Sequence, residues 1–368
     1  MIPGRGPAAT GTAADPGQDA AQGQATATTA SPAQIAAAAD TLARGELAAF
    51  PTETVYGLGA DAEQPDAVAR IYAAKGRPSN HPVIVHLAPD GDPEYWSGPV
   101  GGMARTLIDA FWPGPLTLIL PRAAHIEAAV SGGQDSIGLR CPSHPVAQAL
   151  LREFAARKAS GQGGVAAPSA NRFGHVSPTR AEHVRSEFAE LVAAGMPVLD
   201  GGAAEVGIES TILDVSRLAS VGAVLLRPGH VTAARIAEVI GVLPSLPDAA
   251  APRVSGSLKA HYAPRTPLRL AGPEQLRRLA VDGAAAQTPV VLVSHSMARA
   301  PAALPPGVVW HAADADPLVY ARELYDLLRR LDTQGYALIV LETLPDDAGW
   351  TALRDRVGRA AAAFVTGE

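Results

Sequence analysis

The sequence Phe50-Pro-Thr-Glu-Thr-Val-Tyr-Gly-Leu-Gly-Ala60 is followed at short range by Lys75-Gly-Arg-Pro78 and Pro82-Val-Ile-Val-His86. Together they offer hydroxyls, a fixed pair of cations and an imidazole for one pocket. The chain contains 30 lysines plus arginines, and only Lys75, Lys158 and Lys259 are lysines. An ammonium at position 75 therefore stands out. Lys75 falls where a helix with apolar positions Val68, Ile71 and Tyr72 ends, and a cation there also complements the helix dipole. Gly76 stops that helix. Pro78 restricts Arg77 to extended backbone, which suits a guanidinium fork held toward a phosphate.

Alternation sharpens the reading of Ser136-Ile-Gly-Leu-Arg-Cys141, because successive strand side chains leave opposite faces. Ile137, Leu139 and Cys141 share one face, and Ser136, Gly138 and Arg140 the other, which reads as a sheet floor under an anionic ligand. In Val83-Ile-Val-His-Leu87 the same rule sets Val83, Val85 and Leu87 against Ile84 and His86. Taken singly, Arg140 also suits a surface ion pair and His86 a satisfied core histidine. Ala167-Pro-Ser-Ala-Asn171 and Gly174-His-Val-Ser-Pro-Thr179 form a loop rich in glycine and serine. It leads into a helix start, where free N–H groups favour anions. Glu209-Ser-Thr211 and Leu226-Arg-Pro-Gly229 place a hydroxyl and a guanidinium at strand ends, where open α/β sheets bind ligands.

Two look-alikes fall away. Gly57-Leu-Gly-Ala-Asp-Ala62 spells a dinucleotide fingerprint without the acidic residue expected about 20 positions later. Cys141, the only cysteine, has His144 nearby but sits on the apolar face of its strand, where packing explains it better than nucleophilic chemistry. No GxxxxGK[ST] loop is present.

These segments need a scaffold. With 368 residues, 47% hydrophobic and 18% charged, the chain suits a soluble protein of about two domains. One cysteine excludes an internal disulfide and multi-thiolate zinc, and fits a reducing cytoplasm. A net charge of −6 argues against a general nucleic-acid coat while leaving room for a local basic cleft. No apolar run approaches the ~20 residues that span a bilayer.

Residues 1–30 are small and polar and read as a disordered leader. A catalytic α/β domain is expected over 31–243, starting with a Ser31-capped helix. Strands alternate with helices through 47–50, 65–75, 82–87, 104–111, 116–120, 136–141, 146–154 and 164–167. A helix opened by a Thr179/Glu182 capping box follows, then strands at 211–215 and 223–226. Proline accumulates over 244–266, an extended linker. A second α/β rhythm from 267 to 368 predicts a smaller parallel-sheet domain.

The segments PTETVYGLGADA, KGRPSNHPVIVHL, WPGPLTLIL, GLRCPSHP, APSANRFGHVSPT, GIESTILD, LLRPG and HYAP resemble, in order, the threonylcarbamoyl-AMP synthases in their long form. That form joins a YrdC-like domain, a twisted open sheet with helices and a central cleft, to a smaller Rossmann-like accessory domain. The resemblance implies a nucleotidyltransferase that makes threonylcarbamoyl-adenylate and pyrophosphate from L-threonine, bicarbonate or carbon dioxide, and ATP with Mg2+. It also implies a tRNA threonylcarbamoyl transferase as the acceptor of the product, and leaves direct tRNA contact open.

Carried over by position, the resemblance makes Thr54, His86, Arg140 and Ser210 the threonine set, with Ala167 contributing backbone. It makes Arg77, His81, Ser136, Ser169, Asn171, Ser177 and Arg227 the ATP set, and Lys75, Arg77 and Arg140 the residues closest to catalysis. His261 or Tyr262 would close over the nucleotide. His81 departs from the family's frequent asparagine, and Ser255-Gly-Ser-Leu-Lys259 from its usual linker spelling. No residues are assigned to a metal. Two rivals remain: an RNA-binding module of similar fold, which would not need the Thr54, His86, Arg140 and Ser210 set, and a carbamoyl transferase of the hydrogenase-maturation type, which needs zinc fingers that one cysteine cannot supply.

Overall fold

The computed structural model describes Met1 and residues 29–282 and 289–365. The leader expected over 1–30 therefore lies almost wholly outside the described residues. The larger unit is an eight-stranded mixed sheet of β1 (Ala48–Phe50), β2 (Gly57–Asp61), β3 (Ile84–His86), β4 (Leu116–Pro121), β5 (Ser136–Arg140), β6 (Val165–Ala166), β7 (Thr211–Asp214) and β8 (Val224–Arg227), in the order β1-β2-β6-β3-β5-β4-β7-β8. The smaller unit is an all-parallel sheet of β9 (Leu268–Ala271), β10 (Val290–Ser294), β11 (Val308–Ala312) and β12 (Leu338–Glu342), ordered β11-β10-β12-β9. No helix among the described residues is long and apolar enough to cross a membrane.

β3 and β5 run parallel with Ile84 beside Gly138 and His86 beside Arg140, so the period of two stacks the polar positions on one face. Their alternate residues Val83, Val85, Leu87, Ile137 and Leu139 enter the main core. Helix Pro65–Lys75 starts on proline and ends where Gly76 takes φ 61°, the left-handed conformation that glycine adopts without strain.

One local expectation fails. Thr179 does not cap a helix: the helix is Ala181–Glu187, Arg180 precedes it, and no side chain caps it. The carbonyls of Pro178 and Thr179 accept from the amides of Tyr56 and Ala204, which keeps the backbone extended one residue too long for a capping box.

The two units share a core. Helix Pro317–Asp332 buries Tyr320, Ala321, Leu324, Tyr325, Leu328 and Leu331 along one stripe. Into that cluster the larger unit inserts Val55, Val176 and Ile208, and the connecting segment inserts Tyr262. Gly207, beside Ile208, has φ +79°, and a Cβ there would lie 2.3 Å from Arg322 Cα. Gly207→Ala is expected to destabilise the protein by at least about 1–3 kcal/mol, the cost of left-handed strain before any clash. A denaturant midpoint equal to wild type would contradict this packing.

Candidate active site

A small, half-open cavity of about 40 Å³ lies over the polar faces of β3 and β5 and is bordered by Ser255, Gly256, His261 and Tyr262. Because those four residues form one wall of so small a space, displacing the segment that carries them would widen it for a larger ligand. A space of about 460 Å³ between residues 228–234 and helices Pro317–Asp332 and Thr351–Ala362 is larger but mostly apolar, and one of about 300 Å³ lined by His175, Glu187, Arg265, Arg329 and Asp332 is polar but holds none of the site residues predicted from the sequence. The chemistry converges on the small one.

Thr54, His86, Arg140, Ala167 and Ser210 all line it, as do Ser169, Arg227, His261 and Tyr262. Arg140 donates from Nη1 to Thr54 Oγ1 at 2.8 Å and from Nε to the Gly114 carbonyl at 3.3 Å. Its Nη2 lies 2.6 Å from Glu53 Oε1, a contact held by charge because it lacks the alignment of a hydrogen bond. A guanidinium has five N–H groups, so two remain for a ligand. Ser210 Oγ is fixed by Thr117 Oγ1 at 2.8 Å and Arg227 Nη2 at 3.1 Å.

Other predicted residues stand further back. Arg77 reaches the linker, bonding Ser255 Oγ at 3.3 Å and the Pro82 carbonyl at 2.7 Å. Ser136 borders an adjoining groove that also touches Ile84, Val254 and Ser255. His81 sits outside the cavity, its ring edge-on to Phe173 at 5.4 Å, and Phe173 is edge-on to His261 at 5.8 Å.

Three more of the predicted residues do not line the cavity. Lys75 Nζ is buried against the carbonyls of Ser169, at 2.6 Å, and of Asn171, so it braces the loop that carries Ser169. Asn171 Nδ2 bonds the carbonyls of Arg172 and His175. Ser177 gives its hydroxyl to Glu209 Oε1 at 2.5 Å, and the loop contributes Ala167, Pro168 and Ser169 to the lining rather than a helix N-terminus.

Sequence reasoning passed over Glu53 and Glu209 as site groups, although each adjoins a predicted residue. It also passed over Tyr325 and Arg356, which no local pattern marks.

Buried Lys75, Arg77, Arg140, Arg227 and Arg356 are set against the buried carboxylates of Glu53 and Glu209 and the partly buried one of Asp355, which pairs with Arg356 at 2.7 Å. Burial, and then Arg77, push Lys75 well below its usual range. Even with Lys75 neutral, the positive charge is in excess, which suits an anionic ligand. Burial opposes ionisation of Glu209, yet Arg356 and then Arg227 bring it down to about 2.

Buried polar atoms without partners lie in and around this site: Arg77 Nε, His86 Nδ1, His261 Nδ1 and the Tyr262 hydroxyl. Each such group costs about 1–3 kcal/mol unless something satisfies it. Tyr262 also holds φ 62°, a strained value for a non-glycine residue and of the kind found at functional sites.

Burial first, with nearby cations, lowers both His86 and His261 to about 3. In an unfolded chain each titrates near 6.5, so between those values the unfolded state binds more protons. Stability should therefore fall as pH drops from about 6.5 toward 3, by on the order of a few kcal/mol. Denaturant midpoints measured against pH should show the fall, and it should be shallower in His86→Asn; equal slopes would refute it.

The fold and site define an α/β protein with a cationic cleft on a mixed sheet, bordered by a segment leading to a second α/β unit. Residues 40–229 match the family model described as "Telomere recombination" (Sua5/YciO/YrdC), and residues 231–362 match "Threonylcarbamoyl-AMP synthase, C-terminal domain". Threonylcarbamoyl-AMP synthase of Bacillus subtilis is 40% identical over 340 residues, covering 90% of this chain and 94% of the relative. That of Pyrococcus abyssi is 34% identical over 345 residues, covering 89% and 94%. The structure of P. abyssi Sua5 complexed with L-threonine superposes with a TM-score of 0.77 at 31% identity, covering 91% of this chain and 95% of that one. The chain belongs to the threonylcarbamoyl-AMP synthase family.

Proposed function

We propose that the protein is an L-threonylcarbamoyladenylate synthase, which converts L-threonine, bicarbonate or carbon dioxide, and ATP to threonylcarbamoyl-AMP and pyrophosphate for the modification of tRNA. The observation that carries this reading is the meeting of the Thr54, His86, Arg140 and Ser210 set with Ser169, Arg227 and His261 in one cationic cavity. The threonine complex of the P. abyssi relative supports the amino-acid half of it.

In this reading the two spare N–H groups of Arg140 clamp the threonine carboxylate, and Thr54 and Ser210 present hydroxyls to its polar groups. His86, neutral above about pH 3, adds no charge beside the amine. Carbon dioxide adds to the neutral amine, forming the N–C bond as an N–H proton is lost to water, to give a carbamate. A carbamate oxygen then attacks the α-phosphorus, forming a new P–O bond as the bond to pyrophosphate breaks. No protein nucleophile is needed: orientation and charge stabilisation by Arg77 and Arg227 supply the catalysis.

Glu53 and Glu209 are already engaged by Arg140 and Arg356, and no group of three or more metal-type ligands occurs among the described residues. Magnesium would accordingly enter on the nucleotide's phosphates, where it neutralises charge on the leaving group. We place the enzyme in the cytoplasm, with a tRNA threonylcarbamoyl transferase receiving the product.

The segment 255–262 acts as a lid. It is tied by Arg77 to Ser255 Oγ and by Arg227 to the Ser255 carbonyl at 2.9 Å, while the His261 amide bonds the Arg359 carbonyl of the accessory unit at 3.2 Å. Pyrophosphate release should require ATP, threonine and bicarbonate together. Release that continues without threonine would overturn the substrate assignment.

A further inference from the structure

A fully buried cation of the accessory unit reaches the catalytic cleft. Arg356, in helix Thr351–Ala362, donates from Nε to Glu209 Oε2 at 2.7 Å and from Nη2 to the Glu209 carbonyl at 3.4 Å. Its guanidinium carbon stands 5.3 Å from the centre of the Tyr262 ring. Tyr325, in helix Pro317–Asp332, gives its hydroxyl to the same carboxylate oxygen at 2.9 Å, and Ser177 serves the other. Glu209 itself lines the cavity, and the next residue is Ser210. A buried ion pair is an expensive way to join two units, since apolar side chains of the same volume hold them at least as well. Its position one residue from a substrate-facing hydroxyl gives it another use.

We propose that Arg356 is a positioning residue of the active site: by fixing Glu209 it sets Ser210, and by stacking on Tyr262 it sets the lid, so that the accessory unit completes the site that receives threonine and nucleotide. The inference rests on the reaction assigned above. It explains why the glutamate is surrounded by Arg356, Arg227, Tyr325, Tyr262, His261 and Lys75 with both carboxylate oxygens engaged, leaving it orienting rather than reacting.

The test compares R356M, R356K and Y325F with wild type in threonine-dependent pyrophosphate release, with threonine binding followed separately by calorimetry. In R356M the KM and Kd for threonine should rise about tenfold or more, and kcat should fall by a similar factor, as when a charged partner is withdrawn from a buried group. R356K should recover most of both. Y325F, which loses one hydroxyl and little packing, should raise the threonine KM about threefold.

The pH profile separates positioning from a merely weakened fold. Without Arg356 the buried Glu209 carboxyl protonates at higher pH, so the acid limb of kcat/KM moves up in R356M and stays in place in R356K. Loosened structure alone would lower the profile without displacing that limb, and that result would count against the proposal. If R356M does not fold, Y325F decides: an unchanged threonine KM and Kd overturns the inference. An inactive wild type would overturn the assigned reaction and the inference with it, whereas an active wild type with unaltered variants overturns the inference alone.

Discussion

Arg140→Ala is expected to lower kcat/KM for threonine by about 10²–10³-fold or more, because removing one partner of a buried charged pair costs about 3–5 kcal/mol. Three of this side chain's nitrogens already hold the floor of the cleft together, at Gly114, Thr54 and Glu53. Deleting it does two things at once. Glu53 is left 3% exposed with its countercharge gone, and the two N–H groups free to fork onto a carboxylate disappear. Arg140→Lys separates the two effects, since lysine keeps a charge for Glu53 but cannot present a planar fork. It should restore stability, read as the melting temperature, while leaving the threonine KM high. Recovery of both by lysine would mean that Arg140 serves structure alone.

Ending the chain after Gly241 is expected to abolish activity, by about 100-fold or more, and to leave a protein prone to aggregation. Val55, Val176 and Ile208 are 6%, 4% and 2% exposed and pack in one cluster with residues of the accessory unit. Uncovering such side chains costs about 1.5–3 kcal/mol each. The truncation also removes Arg356 and Tyr325 from Glu209, and the segment that borders the cavity. Soluble protein with full pyrophosphate release from the shortened chain would show that neither the shared core nor the lid is needed.

Much of this was legible in the sequence because two rules of backbone geometry act locally. The period of two divided Ser136, Gly138 and Arg140 from Ile137, Leu139 and Cys141, and the sheet keeps that division: the first three border the cleft region and Ile137 and Leu139 enter the core. The Pro65–Lys75 helix begins and ends at its proline and glycine signals. Less visible were elements without a strong local pattern. β2, Gly57–Asp61, reads Gly-Leu-Gly-Ala-Asp, which imitates a dinucleotide loop, and its strand character comes from pairing with β1 and β6. The helix Ala233–Ile240 was absent from the sequence reading although Thr232 caps it.

Side-chain destinations were harder still. Lys75 closes its helix as expected, but its ammonium turns to the loop carbonyls at 169 and 171, and nothing in the spacing says which way a long flexible chain will reach. Ser177 was expected on the nucleotide and instead bonds Glu209. Arg356 lies 147 residues from that glutamate, so only the packing of one unit on the other brings them together.

The most direct measurement is a crystal structure of the protein with L-threonine and a non-hydrolysable ATP analogue. The threonine carboxylate should lie within hydrogen-bonding distance of the Arg140 guanidinium, with the side chain near Thr54 and Ser210 and the α-phosphate facing the amine. Threonine bound elsewhere, or a nucleotide whose phosphates avoid Arg77, Ser169 and Arg227, would contradict the assignment of this cleft.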